Sequence, residues 1–189
     1  GMIANINAFA LGVASVNPRA KVYLAWSKTK DYDRNKFLEE NDLHYVSDQD
    51  IITPNDASRY FGLYKLQDGQ ALNLAMPIWN WGVFYEKLLQ SVLAGSYKAE
   101  GQEQVKALNY WWGMSAGVID LICSKHVPYG VKRLADHLKS DITKGEVVPF
   151  FGQIYNQKGE LKNKGEHEMK PSDIMKMDWL VDNVVVFRL

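Results

Sequence analysis

The sequence predicts an α/β fold in which a mostly parallel sheet lies between layers of helices. Segments with apolar residues at helical spacing alternate with short runs rich in β-branched and aromatic residues, and such alternation favours parallel α/β construction. The composition is globular, with 47% hydrophobic and 12% aromatic residues. The 189 residues suit one domain, and no internal repeat or linker divides them. We therefore expect a single domain over residues 1–189.

The first half of the chain is predicted to contain two helices and three strands. Apolar residues recur at helical spacing from Ile6 to Val16, and Asn17-Pro18 stops that helix. A breaker at 53–56 separates the last two strands. The predicted elements are a helix over 6–16, a strand over 21–26, a helix over 34–40, and strands over 43–47 and 62–66.

The second half contains the most regular amphipathic helix, which follows Pro77 and ends at Gly95. Its predicted inward face consists of Trp81, Phe84, Tyr85, Leu88, Leu89, Val92 and Leu93. A glycine-rich hairpin turn is predicted at 113–117, and another helix follows Pro128. The chain closes with a strand and turn at 153–159 and an apolar segment at 179–187.

The charge balance and the motif content exclude several classes of function. Lysine plus arginine equals aspartate plus glutamate at 22 each, so no basic surface attracts nucleic acid. The four histidines are scattered and phosphate-binding glycine motifs are lacking, so we expect neither a metal site nor a cofactor. Cys123 is the single cysteine, which rules out an internal disulfide. No apolar run approaches the length of about 18 residues that spans a membrane.

The pattern Gly113-Met114-Ser115-Ala116-Gly117 matches the nucleophile elbow of serine hydrolases. Asp136 or Asp141 and His167 follow it in the order of that class. The elbow requires a helix after the serine, whereas residues 118–122 have the composition of a strand. The pattern therefore favours a glycine-rich turn over a hydrolase that uses Ser115, and we expect no catalytic residue.

The triplet Trp79-Asn80-Trp81 lies between an apolar strand-like run and the amphipathic helix. It is therefore predicted at the carboxyl end of a strand, where open α/β sheets bind ligands. With Trp81 on the inward helix face, Trp79 is free to stack on a flat ligand, an interaction worth about 1–3 kcal/mol for a nucleobase. Asn80 could bind a ligand edge or cap the helix, and both tryptophans could instead be core residues.

Five collinear segments resemble the basic membrane protein (BMP) family of ABC-transporter solute-binding proteins. The segments are 7–22 (NAFALGVASVNPRAKV), 77–82 (PIWNWG), 110–121 (YWWG with GVIDL), 149–159 (PFFG with QKG) and 177–179 (MDW). The resemblance implies a type I periplasmic-binding fold, in which two α/β lobes enclose a purine or nucleoside for an ABC permease. This chain begins at the passage that opens the second lobe, so the resemblance implies a chain truncated to that lobe and its C-terminal segment.

The resemblance also implies where a ligand binds and where the protein works. The cleft residues it indicates are Tyr32, Asp50, Asp68, Trp79 and Asn80. Nucleoside-binding members have a lysine at the position of Trp79, so an indole there favours a free purine base. The family is extracytoplasmic, but residues 2–9 have no features of a signal peptide or lipid anchor, so a chain that starts at Met2 is expected to be cytoplasmic.

A single lobe lacks half of the contacts that a closed cleft supplies, so we expect weak or no ligand binding by the monomer. An alternative hypothesis is an interaction or regulatory module, or a degenerate gene product, that has lost transport. Its exposed cleft face would be an apolar patch, which makes self-association into a homo-oligomer plausible.

Overall fold

The computed structural model describes residues 1–26, 33–48, 60–95 and 112–187. Within these ranges the helices are α1 (Met2–Val16), α2 (Arg34–Glu40), α3 (Trp81–Leu93), α4 (Tyr129–Lys144) and α5 (Pro171–Met175). The strands are β1 (Val22–Leu24), β2 (Tyr45–Ser47), β3 (Leu63–Gln67), β4 (Gln70–Trp79), β5 (Ile119–Cys123), β6 (Gln153–Tyr155), β7 (Leu161–Lys164) and β8 (Val184–Val186). The chain forms two compact units. The first unit is Gly1–Asp42 with Val148–Leu189, and the second unit is Leu43–Val147.

The first unit is built around the pairing of the first and last strands of the chain. Strand β1 pairs with β8 in parallel, with Val22 opposite Val184. Helix α1 precedes this pair and supplies small apolar side chains to a buried cluster. The buried members of the cluster are Ala4, Ala10, Phe150, Ile154, Met177, Val181 and Val184. The core of this unit therefore joins residues from the two ends of the sequence.

Two buried asparagines connect α1 to the C-terminal segment. The side chain of Asn7 is fully buried, donates to the carbonyl oxygen of Trp179 at 2.8 Å and accepts from the N–H of Val181 at 3.0 Å. Asn183 donates to the carbonyl oxygen of Ala10 at 2.8 Å. Because these backbone groups are away from water, each side-chain bond satisfies a group that would otherwise be costly to bury.

A third buried asparagine organises the antiparallel pair of β6 and β7. The side-chain oxygen of Asn156 accepts from the N–H groups of Lys158 and Glu160, and its nitrogen donates to the Glu160 carboxylate at 2.7 Å. The ammonium of Lys162, 2.9 Å from that carboxylate, and the Asn156 bond hold the pKa of Glu160 below its usual range. The turn is thus fixed by its own polar side chains.

The second unit contains an antiparallel sheet in the order β2-β3-β4-β5. The prediction of a mixed α/β fold is confirmed, and parallel pairing is found between β1 and β8, but the parallel arrangement predicted for the strands of this unit is wrong. The reason is the tight connection of β3 to β4 through Asp68 and Gly69, which both have positive φ angles of 51° and 73°. Such a two-residue turn joins antiparallel strands only, since a parallel pair needs a long crossover.

Helices α3 and α4 belong to the second unit, and neither contains a buried residue. Lys139 of α4 forms an ion pair of 3.0 Å with Asp120 of β5. Trp81 is 55% exposed, so its predicted inward orientation is wrong, whereas Phe84 and Leu88 of the same predicted face are half-buried. The other exposed residues of that predicted face are Tyr85, Leu89, Val92 and Leu93. The apolar arc of α3 is thus wider than the side that the other described residues cover. Among the described residues, no helix is long and apolar enough to cross a membrane.

Candidate ligand-binding site

An exposed pair of tryptophans stands where β4 passes into α3. Trp79 is the last residue of the strand and Trp81 the first of the helix, and they are 53% and 55% exposed. Their rings are nearly parallel, with centroids 5.8 Å apart and an interplanar angle of 19°. Exposed indoles in this arrangement offer a flat, rigid apolar surface to solvent.

Asn80 fixes the backbone between the two tryptophans. Its side-chain nitrogen donates to the carbonyl oxygen of Gly117 at 2.9 Å, and its N–H donates to the carbonyl oxygen of Val118 at 2.8 Å. Gly117 has a φ angle of 74°, a conformation that favours glycine, and Val118 is buried. The 113–117 turn therefore holds the strand-to-helix junction, and the Asn80 side chain makes no helix cap.

Further aromatic rings support the tryptophan pair from the helix side. Trp81 lies edge-on to Phe84, with ring centroids 5.8 Å apart, and is tilted against Tyr85 at 6.3 Å. Phe84 in turn contacts the ring of Trp112 at 5.7 Å. Such edge-to-face contacts restrict ring orientation, so Trp79 rests against an ordered aromatic base.

The geometry of the tryptophan pair limits how a flat ligand can bind. A ring held between two others needs a gap of about 7 Å, twice the base-stacking distance of about 3.4 Å. The indoles are only 5.8 Å apart, so a planar ring cannot enter between them. A flat ligand would instead stack on the outer face of Trp79.

Asp120 lies opposite Ile78 on β5. Because successive side chains of a strand point to opposite faces of the sheet, its carboxylate lies on the face away from Trp79. A hydrogen bond from Lys139, together with the N–H of Leu121, holds the pKa of Asp120 below its usual range. This ionised pair is therefore not part of the surface that Trp79 offers to a ligand.

The structure does not bring all the predicted site residues together. Trp79 and Asn80 are adjacent, but Asp68 lies in the hairpin turn at the other end of β4. Nine residue steps of about 3.3 Å separate the two ends of that strand, a distance of about 30 Å. Tyr32 and Asp50 lie outside the described residues, and Asp33, next to Tyr32, caps α2 by accepting from the N–H groups of Asn35 and Lys36. A ligand role of Tyr32, Asp50 and Asp68 stays a prediction.

Ser115 does not have the surroundings of a hydrolase nucleophile. It is exposed in the 113–117 turn, and the next regular element is strand β5. The elbow requires a helix in that place, so the pattern there is a turn motif.

Trp111 and the residues before it, to which most of the first arm of the predicted hairpin was assigned, lie outside the described residues. Among the described residues, no group of three metal-ligating side chains comes together.

Sequence reasoning did not predict the part that Gly117 and Val118 play in holding the tryptophan pair. The signal was available, because Gly117-Val118 belongs to the same resemblance as Trp79-Asn80, and the structure joins the two segments through Asn80. The resembling segments of the first unit meet in the same way, with Asn7 bonded to Trp179. Segments far apart in sequence thus converge at one place in each unit.

Two curated proteins are similar to this chain. A purine-binding protein of Brucella abortus is 27% identical over 196 aligned residues, which cover 97% of this chain and 54% of that protein. A protein of Haloferax volcanii, provisionally named an ABC transporter glucose-binding protein, is 30% identical over 130 residues, covering 62% of this chain and 31% of that protein. No family model matches the chain.

The chain therefore spans about half the length of the Brucella protein and about a third of the Haloferax protein. Both relatives are named as binding proteins, which fits a role in solute binding and a protein that is not an enzyme. Together with the five motif segments, these relatives confirm the resemblance of this chain to the BMP-like family of substrate-binding proteins.

Proposed function

We propose that this chain is the ligand-binding part of an ABC-type uptake system and that it binds a purine base by stacking it on Trp79. The single observation that carries the proposal is the 53% exposed indole of Trp79, held at the end of β4 by Trp81 and Asn80. The name of the Brucella relative supports a purine, whereas the name of the Haloferax relative supports a sugar. The same proposal includes an ABC permease as the partner of this chain and a location of the chain outside the cytoplasm.

The surface favours a purine over a sugar for a physical reason. An exposed indole offers a face on which every nucleobase can stack, while glucose needs several directed hydrogen bonds to its hydroxyl groups. Next to Trp79, the side-chain nitrogen of Asn80 is already bonded to Gly117, and Asp120 of the neighbouring strand lies on the opposite face of the sheet. Few polar groups of the described residues are therefore left there for a polyol.

The expected affinity follows from the same contacts. Stacking of one base supplies about 1–3 kcal/mol, and each hydrogen bond adds about 0.5–1.5 kcal/mol. A dissociation constant of about 1 mM corresponds to about 4 kcal/mol, which stacking and two hydrogen bonds can reach. We expect this chain by itself to bind adenine with a dissociation constant of about 1 mM and not below about 40 µM, since the upper limits of these contacts sum to about 6 kcal/mol.

The proposal is tested by titrating the chain with adenine and with glucose and following ligand resonances by saturation-transfer NMR. We expect saturation of adenine but not of glucose. Trp79→Ala should weaken adenine binding by about fivefold to a hundredfold, the equivalent of one lost stacking contact. Trp79→Phe should retain part of the affinity, since it keeps an aromatic face.

The matched control is Tyr45→Ala, which removes an aromatic ring that is 63% exposed on β2 of the same unit. This variant should bind adenine like the parent chain. If Trp79→Ala and Tyr45→Ala have equal affinities, or if glucose binds and adenine does not, the proposal is wrong.

A further inference from the structure

The outer side of α3 continues the tryptophan pair into a larger apolar surface. Tyr85, Leu89, Val92 and Leu93 are 56%, 63%, 46% and 86% exposed. They follow Trp81 at intervals of three or four residues, which places them in a row along one side of the helix. We call the surface formed by Trp79, Trp81, Tyr85, Leu89, Val92 and Leu93 the α3 face.

The α3 face is the uncovered part of one broad apolar arc. With 3.6 residues per turn, this arc takes up about half of the circumference of α3 and runs from Phe84 and Leu88, which are half-buried in the second unit, to Leu93. Polar residues lie on the opposite side, and a surface helix normally buries its whole apolar stripe. The other described residues cover only one edge of the arc, which leaves the α3 face open to a second partner.

The exposed area of the α3 face is comparable to one side of a stable interface. The six side chains are about half exposed or more, and large side chains present about 150–250 Å² each, so together they expose roughly 700 Å². The largest apolar patch of a typical monomer is about 300–600 Å², and a standard interface buries about 800 Å² on each partner. A face of this size is large enough for a dimer contact.

The order of residues along α3 makes the face complementary to itself. Two copies of the helix that pair antiparallel around Lys87 place Tyr85 opposite Leu89 and Trp81 opposite Leu93 of the second copy. Each large ring then meets an aliphatic side chain, the arrangement by which facing helices interdigitate. We propose that the α3 face is a homodimer interface in which two copies of α3 pack antiparallel about a two-fold axis level with Lys87, whose own side chain lies on the half-buried side of the helix.

The charges near this face permit such a pairing. The exposed ionised residue of α3 is Glu86, which lies beside the apolar row and accepts a hydrogen bond of 3.2 Å from Gln90. The whole chain has a formal net charge of zero, so two copies do not repel one another at long range. Two-fold pairs of this kind are the commonest form of homo-oligomer.

The dimer is tested by sedimentation velocity of the full chain from roughly 1 to 100 µM, a range that brackets the affinities of ordinary dimers. We expect a concentration-dependent dimer. Leu89→Glu places a carboxylate against the Tyr85 ring of the second copy and should raise the dissociation constant by about thirtyfold or more. Val131→Glu, which changes a 55% exposed side chain of α4, is the matched control and should dimerise like the parent.

A charge-pairing experiment tests the antiparallel register. Tyr85→Lys alone should weaken the dimer by a similar factor, because a lysine then faces Leu89. When the Leu89→Glu and Tyr85→Lys chains are mixed, one contact of the heterodimer becomes a Glu–Lys pair and the other keeps its parent residues, so dimers should return.

A parent chain that remains a monomer at the highest concentration would overturn the proposal, as would dimers of Leu89→Glu with parent affinity. A mixture that stays monomeric would overturn the antiparallel register. Circular dichroism of each variant shows whether it keeps its helices. Trp79 belongs both to the α3 face and to the proposed purine site, so the dimer is measured without ligand. Leu89→Glu leaves Trp79 and Asn80 unchanged, and an adenine titration of this variant tests purine binding separately.

Discussion

In the first unit the resembling segments bury their polar side chains, whereas in the second unit they present aromatic rings to solvent. Asn7 is completely buried against the backbone of Trp179 and Val181, while Trp79 is 53% exposed beside Trp81. The segments that resemble the family therefore serve two different physical roles in this chain. The first unit keeps residues that its fold needs, and the second unit keeps residues that face outward and that a ligand or partner can contact.

Asn7→Ala in the first unit should have the largest effect on stability if the buried asparagines of this unit serve its fold. The substitution leaves the carbonyl oxygen of Trp179 and the N–H of Val181 buried without their partner, and it also opens a small cavity. We expect a loss of about 2–4 kcal/mol in the free energy of unfolding, measured by urea denaturation with circular dichroism. Asn35→Ala, at an exposed position of α2, is the control and should be close to neutral.

Asn80→Ala should have a smaller effect on folding and an added effect on binding. The lost bond to Gly117 is exposed, so the free energy of unfolding should fall by about 1 kcal/mol. Adenine affinity should fall as well, because Trp79 and the 113–117 turn are no longer held together. Gln90→Ala, an exposed change on α3, should alter neither quantity. If Asn80→Ala binds adenine with the affinity of the parent chain, the 113–117 turn does not contribute to the binding site.

The ion pair between Asp120 and Lys139 should make the free energy of unfolding depend on pH. Lys139 lowers the pKa of Asp120 in the folded protein, so the pair stabilises the fold above the usual aspartate pKa and is lost as pH falls through the lowered value. We expect less than about 1 kcal/mol, since both side chains are partly exposed. Urea denaturation between pH 7 and about pH 3 should show a smaller acid loss for Asp120→Asn than for the parent.

The smallest expected effect is that of Asp68→Asn on adenine affinity. Asp68 lies about 30 Å along β4 from Trp79, and asparagine also tolerates its φ angle of 51°. Affinity and stability should both remain at parent values. Asp68→Val should lower stability, because a branched side chain is strained at this φ angle, but it too should leave the affinity unchanged. If both variants lose affinity for adenine, Asp68 belongs to the binding site after all.

The existence and type of most helices and strands could be predicted from local patterns. The helix of 2–16, the strand of 22–24 and the stop of α3 near Gly95 follow apolar spacing and stop signals that act within a few residues. The alternation of helices and strands wrongly predicts parallel pairing in the second unit, because the short connection at Asp68-Gly69 returns the chain antiparallel beside β3.

The site was predicted in part, for a physical reason. Trp79 and Asn80 could be found because a strand end and a helix start are readable in sequence. The exposure of Trp81 could not be predicted, because the apolar arc of α3 takes up about half of the helix and the sequence alone does not say which part of that arc is covered. The bond from Asn80 to Gly117 spans 37 residues and depends on tertiary structure.

The most direct test of the central claim is a map of backbone amide shifts during an adenine titration of the uniformly ¹⁵N-labelled chain. We expect the largest shifts at the backbone amides of Trp79, Asn80 and Gly117 and at the indole N–H of Trp79. The amide resonances of residues 7, 156 and 183 in the first unit should not shift. Shifts centred on those buried asparagines, or an absence of shifts around Trp79 at millimolar adenine, would contradict the account.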